Sequence, residues 1–293
     1  MIISDLLALV TAGVASGSSY ALLALGVVII FRATDTVNFA IGHIGVLALY
    51  CSTLALAMKV PLVLVLVGTV VLGGLIGIAT ERVFIRPLGQ RKNFAFIALV
   101  VTIGVSFLIH ALIGVVWGHP AINIPTLLSG TVQIGTFAVS WNKVMSTAFA
   151  LISMGIVAVF FGRTALGAAM RASAEDHFAA RVVGINSNHI AMLAWFLGCG
   201  LSTLGMFFLT AEQSLNGSVA DQPLFRAIAA VFLGGLTSMS GAVLGGFAIG
   251  ILDNLAGAYA SPNLRDTVVF GVIVGVLFIR PAGILGALRK ERV

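Results

Sequence analysis

The sequence predicts an all-α fold: a polytopic transmembrane helical bundle of about eight or nine spans, in a single domain covering residues 1–293. Three observations carry this expectation. Only 9% of residues are charged and 59% are hydrophobic, whereas a water-soluble domain carries roughly a quarter of its residues as charged ones. The uncharged runs have the length, about 20 residues, that crosses a hydrocarbon core as a helix. Basic residues sit in the short connections between these runs, where they set orientation. The net charge of +6 is therefore no sign of nucleic-acid binding.

The first run, Leu6 to Phe31, has no charge. No basic residue precedes it and it exceeds the apolar core of a signal peptide, so it reads as a retained span. Phe39 to Met58, holding only His43, comes next, followed by Val60 to Thr80. A fourth span contains His110, which reads as a packing residue. Val144 to Gly162 and Ile190 to Ala211 repeat the pattern. Ala227 to Leu252 is one uncharged stretch, and a break at Thr237 to Gly241 divides it into two helices. A short one lies around Leu224 to Leu236, and the last span of the chain is Thr267 to Ile279.

Loop charge orients these runs. Arg32, the segment Glu81 to Lys92, the segment Arg163 to Arg181, and the tail with Arg280, Arg289, Lys290 and Arg292 hold 12 of the 16 Lys and Arg residues. By the positive-inside rule these are cytoplasmic. Gly118 to Asn142, polar and nearly uncharged, belongs outside. With the break at Thr237 to Gly241 the count is about nine crossings, with the N-terminus outside and the C-terminus in the cytoplasm.

Glycines four apart (Gly13/Gly17, Gly73/Gly77, Gly241/Gly245, Gly246/Gly250 and Gly271/Gly275) supply faces on which helices approach closely in lipid. Ser18 and Ser19 satisfy themselves on helix carbonyls. Cys51 and Cys199 fall inside spans and read as small buried residues, not as metal ligands or a disulfide.

Three segments stand out. Arg163 to Asn188 is the longest predicted cytoplasmic connection. Its alanine-rich part, Gly167 to Arg181, predicts one helix outside the bilayer. Arg171 and Glu175 fall on one face of it, and Gly184 and Asn186 stop it. It is either an interfacial connector or a docking element for a cytoplasmic partner. The second segment, Arg32 to His43, interrupts two apolar runs with polar residues, and Asn38 and Gly42 mark a broken helix that is either buried in protein or facing a cavity. The third holds Asp253, an acidic residue inside a span, which is costly there and a functional candidate. Asn38, Gly42, His43 and Asp253 are the candidate translocation residues. No phosphate-binding G-x-x-x-x-G-K-[ST] loop, H-E-x-x-H or C-x-x-C occurs, so no catalytic residue, metal site or cofactor is expected on this chain.

Tyr20-Ala21-Leu22…Gly26, Asn38-Phe39-Ala40-x-Gly42, Glu81-Arg82…Arg86-Pro87-Leu88 and Thr102-Ile103-Gly104-x-Ser106 begin an ordered series. Arg163-Thr164-x-x-Gly167…Met170-Arg171-Ala172…Ala180-Arg181-x-x-Gly184-Ile185-Asn186, Ala229-Ala230-Val231-x-Leu233-Gly234-Gly235…Gly245-Gly246 and Arg280-Pro281-x-Gly283-Ile284 continue it. Together they cover nearly the whole chain, which resembles the LivH-type permeases of branched-chain amino acid ABC importers.

The resemblance implies a multi-pass permease of the bacterial inner membrane, working with a second homologous permease, two cytoplasmic ATPase subunits that use the ATP, and a periplasmic substrate-binding protein. It implies that residues 163–188 couple the chain to an ATPase. Ala174, Glu175 and Asp176 are then contact residues, Arg171 and Arg181 rim residues, and Gly184 the turn back into the membrane. His43 departs from the acidic residue usual in the family at that place, and Ile41 from a polar one. Relatives of this build carry urea, short amides or other amino acids as well. An ion-coupled secondary transporter is the remaining alternative, and it has no need of an extramembrane docking helix.

Overall fold

A chain without charge from Leu6 to Phe31 has no reason to break inside hydrocarbon, where each backbone polar group must be paired within the helix. Helix α1 accordingly runs unbroken over Ile2–Thr34, about 50 Å at 1.5 Å per residue. Ser18 donates its hydroxyl to the Ala15 carbonyl at 2.7 Å and adds no polar burden. The computed structural model describes residues 2–89, 91, 93–118, 121–128, 130–134, 137–259 and 264–286. Lys92, Arg289, Lys290 and Arg292 lie outside the described residues.

Ten helices follow: α2 (Ile41–Ala57), α3 (Leu62–Thr80), α4 (Phe94–Trp117), α5 (Trp141–Arg163), α6 (Ala165–Glu175), α7 (His177–Val182), α8 (Ser187–Glu212), α9 (Asp221–Gly234), α10 (Met239–Tyr259) and α11 (Arg265–Ile279). A π-helical turn (Glu81–Ile85) and a 3-10 turn (Arg86–Leu88) extend α3. There the buried Glu81 carboxylate is met by Arg86 at 2.9 Å. Helices α1, α3, α4, α5, α8 and α10 are long and apolar enough to cross a membrane. Helices α2, α9 and α11 have 17, 14 and 15 residues. At 1.5 Å per residue α9 covers about 21 Å, short of a core about 30 Å thick. The chain is an all-α, multi-pass membrane protein.

Helix α1 lies at the centre, between α8 and α10, and its Leu22, Leu23 and Ala24 are fully buried. Close approach explains the glycines of this seam. A Cβ on Gly250 would fall on the backbone of Gly17, and one on Gly246 would fall on Ala21. Gly73 and Gly77 meet α8 at Thr203 and Cys199 in the same way. Gly271 and Gly275 meet nothing within 4 Å, so that pair, expected at a helix contact, lies open on α11. The outer helices α3, α4 and α5 expose apolar residues such as Val67, Leu108 and Ile156, as helices facing lipid or a neighbouring subunit do.

Between α4 and α5 the polar loop contains a short antiparallel hairpin, β1 (Thr131–Ile134) with β2 (Phe137–Ser140). Ile122, ahead of it, exchanges two backbone hydrogen bonds with Leu215 beyond α8, at 2.9 and 2.8 Å. The single helix expected over Gly167 to Arg181 is two helices. Asp176 breaks it, because its carboxylate accepts from the amides of Phe178 and Ala179 at 2.8 and 2.9 Å and caps α7. The alanine-rich composition favours helix on both sides, and the cap decides where the break falls.

Candidate functional site

Two short helices, α2 and α9, begin after irregular backbone and meet at their starts. The chain leaves α1 through Asp35, which adopts φ 51°, and stays non-helical over residues 35–40. Asn38, fully buried, accepts from the amide of Ala40 at 2.9 Å and starts α2. This is the broken helix expected at Asn38 and Gly42. Irregular backbone also joins α8 to α9 over residues 213–220. The two starts meet, since a Cβ on Gly42 would lie 3.3 Å from that of Ala220. Neither α2 nor α9 has a side-chain cap at its N-terminus.

At this junction His43 Nε2 lies 3.3 Å from Asp221 Oδ1. The His110 ring stands edge-on to His43 with centroids 6.5 Å apart, and its Nδ1 is 3.1 Å from the Gly217 carbonyl. Beside them opens a cavity of about 400 Å³, walled by Phe107, Leu224 and Phe225 with Ser106 at one side. His110, expected to be a packing residue, and Asp221, which the sequence did not single out, are therefore parts of one polar cluster. The missed signal in the sequence was a second interruption, Gln213 to Ala220, ahead of a short apolar helix, matching the first at Arg32 to Ala40.

Asp253 does not join this cluster. Its carboxylate, 2% exposed, lies 2.9 Å from Arg226 Nε and 2.9 Å from Arg265 Nη2. Arg226 also reaches Asp266 at 3.2 Å and stacks over Tyr20 at 5.9 Å from the ring centroid. The ions therefore tie α9, α10 and α11 together against α1. Four charged side chains from three helices satisfy one another, which is how ionised groups persist away from water.

The third group is α6 with α7. Thr164 accepts from the Gly167 amide at 2.9 Å and starts α6. Arg171 and Ala174 are partly covered, whereas Glu175, Asp176, Arg181 and Gly184 are exposed. Gly184 adopts φ 86°, and Asn186 then caps α8 by accepting from the amides of Asn188 and His189. Phe178 is 72% exposed and Val182 71%, an apolar pair on a short polar connection that the sequence did not flag. Arg32 and Arg171 line one wide cavity at this end, and Arg86 and Arg181 line another.

A bundle of apolar crossing-length helices, a polar junction of two shorter helices, and a paired helix outside it define an integral membrane transport protein. The chain belongs to the branched-chain amino acid transport system permease component family, whose model matches residues 9–277. It is 29% identical over 296 residues to the high-affinity branched-chain amino acid transport system permease protein BraD of Pseudomonas aeruginosa, covering 96% of each chain. It is likewise 29% identical to the LivH permease protein of Escherichia coli K12, with the same coverage. To the probable LivH of Methanocaldococcus jannaschii it is 26% identical, covering 92% of this chain and 89% of that one. Among solved structures, PsaBC from Streptococcus pneumoniae in complex with Fab matches with TM-score 0.50 and 17% identity, over 94% of this chain and 91% of that one. That likeness concerns the fold alone. The chain is a transport permease and not a member of a known enzyme class.

Proposed function

We propose that this permease is the membrane-spanning subunit of an ATP-driven importer for branched-chain and other hydrophobic amino acids, in the bacterial inner membrane. The full-length match to BraD and LivH carries the substrate reading. The exposed α6–α7 pair supports the coupling reading, with Glu175, Asp176, Phe178, Arg181 and Val182 presented to a motor subunit, Arg171 and Ala174 behind them, and Gly184 turning the chain back. A second homologous permease, two ATPase subunits and a periplasmic binding protein complete the importer. ATP is used by the motor subunits, and this chain binds no cofactor. Residues 1–293 act as one domain of about nine crossings, with α2, α9 and α11 counted as the short ones, the N-terminus outside and the α6–α7 end in the cytoplasm. Asn38, Gly42 and His43 line the route where α2 and α9 meet. Asp253 braces that wall through Arg226, which lies five residues beyond Asp221 on α9.

The test is reconstitution of the chain with its partner subunits in vesicles. ATP-dependent leucine uptake that requires the binding protein is the expected result, and competition by urea and short amides reads selectivity. Uptake driven by an ion gradient without ATP would replace the importer by a secondary transporter.

A further inference from the structure

A cavity of about 920 Å³ opens between α5 and α10 at the α6 end of the bundle. Both helices lie against α1, whose Leu25, 2% exposed, forms the floor. Val157 and Ala158 of α5 and Val243 and Leu244 of α10 wall it. Leu244 is 60% exposed, so the cavity is a groove reached from the side of the bundle. Along α5 it runs from Met154 to Phe161, about 10 Å, which fits within the roughly 15 Å of hydrocarbon in one leaflet.

At its α6 end the lining turns polar. Arg32 comes from the last turn of α1 and Arg171 from α6, with Thr237, Ser238 and Ser240 beside them. Among the described residues no acidic side chain lines the groove. Nor does either guanidinium make a hydrogen bond or ion pair there, in contrast to Arg86, Arg226 and Arg265. Arg171 repels Arg32, and Glu175 attracts it from beyond pairing distance. Two like charges at the head of an apolar groove are stabilised by an anion that accepts from both. A bare anion would leave the groove walls uncovered, and an uncharged chain would leave the arginines unpaired. An amphiphile with an anionic head satisfies both ends.

We propose that this groove binds an anionic phospholipid, its phosphate held by Arg32 and Arg171 and an acyl chain laid along Val157, Ala158 and Leu244. Basic pockets between membrane helices on the cytoplasmic side take such headgroups. Arg32 belongs to the central helix and Arg171 to the pair presented to the motor, so a bound lipid ties α6 to the core. That link to coupling rests on the importer reading, whereas the lipid site does not.

The full chain, purified in detergent, is heated with phosphatidylglycerol, with phosphatidylcholine of the same acyl chains, or with glycerol 3-phosphate. Phosphatidylglycerol should raise Tm with concentration, as a ligand of the folded state does. Phosphatidylcholine should need about fivefold or more the concentration for the same rise, the scale of one basic residue facing an anionic lipid. Glycerol 3-phosphate, which lacks the chains, should give no rise. Arg32→Gln and Arg171→Gln should each reduce phosphatidylglycerol to the level of phosphatidylcholine without lowering the unliganded Tm, since the charge removed has no partner. Ala158→Trp, at an exposed position, fills the groove and should abolish the preference while both arginines remain. Equal rises with the two lipids, or a preference that survives Ala158→Trp or both arginine variants, overturn the proposal. A rise with glycerol 3-phosphate alone makes this an anion site and overturns the lipid. Loss of the preference once the second permease subunit is bound assigns the groove to that subunit and overturns it as well. A chain that binds the lipid but, in the complete reconstituted assembly, imports no leucine with ATP overturns the importer reading instead.

Discussion

At the scale of single residues, Asp253 bears the heaviest electrostatic demand. It is buried between Arg226 and Arg265, and Arg226 has a second, exposed carboxylate at Asp266. Removing one partner of a buried ion pair strands the other charge, at a cost of about 3–5 kcal/mol. Asp253→Leu should therefore lower Tm and the yield of folded protein, an effect read in detergent without any transport assay. Adding Arg226→Met should restore part of the loss, since the two changes share one interaction and are not additive. Full additivity of the two losses would show that the 2.9 Å contact contributes nothing. The sequence made Asp253 visible as a costly acid in an apolar run. It left the partners hidden, because Arg226 stands at the head of a run that reads as uncharged only from Ala227, and Arg265 lies 12 positions further along the chain than Asp253.

At the scale of elements, what was legible depended on whether local chemistry or long-range packing made the decision. The break between α9 and α10 falls at residues 235–238, two residues earlier than the expected Thr237 to Gly241, because Met239, Ser240 and Gly241 already belong to α10. Ser238 accepts from the Gly241 amide at 2.9 Å to start α10. Composition also placed a helix between Arg163 and Asn188. It missed the cap at Asp176, since alanine-rich windows read as continuous whatever a single carboxylate does. It also missed the junction of α2 and α9, which are 178 positions apart at His43 and Asp221 and meet only through packing. The paired helix α6–α7 supplies the prediction at this scale. Ala174 is already half covered by its own chain, so a bulky residue there would disturb α6 itself. Phe178 is exposed and packs on little within the chain. Phe178→Glu should leave membrane insertion and Tm unchanged and abolish substrate-stimulated ATP hydrolysis in the assembled importer, because a buried charge at a docking surface is left unpaired. Normal stimulation in that variant would make α6–α7 a connector resting at the membrane surface.

At the scale of the whole molecule, orientation follows from which groups share an end. Helix α8 runs from Ser187, just after Gly184 and Asn186, to Glu212, just before Ser214 and Leu215. Ser214 donates to the Asn123 side chain at 2.9 Å, and Leu215 pairs with Ile122. Asn123 and α6–α7 therefore lie at opposite ends of a helix of 26 residues, about 39 Å long and enough to cross the hydrocarbon core. Arg82 lies against Met192 of α8. Arg32 and Arg171 share one cavity, and Arg86 and Arg181 share another with Asn188. Five arginines from α1, the end of α3, α6 and α7 thus collect at the α6–α7 end, whereas Asn123 sits in a loop of few charges. Lys and Arg resist transfer across the bilayer, so the arginine end is expected to be the cytoplasmic one. Single cysteines at Asn123 and Glu175, in a chain with Cys51 and Cys199 replaced by alanine, test this directly. An impermeant thiol reagent should label Asn123→Cys in cells whose outer membrane has been opened, and Glu175→Cys only after the inner membrane is broken. The reverse pattern would invert the molecule and put α6–α7 out of reach of any ATPase. Labelling of both from outside would mean that α8 does not cross, since those two residues are separated by its full length.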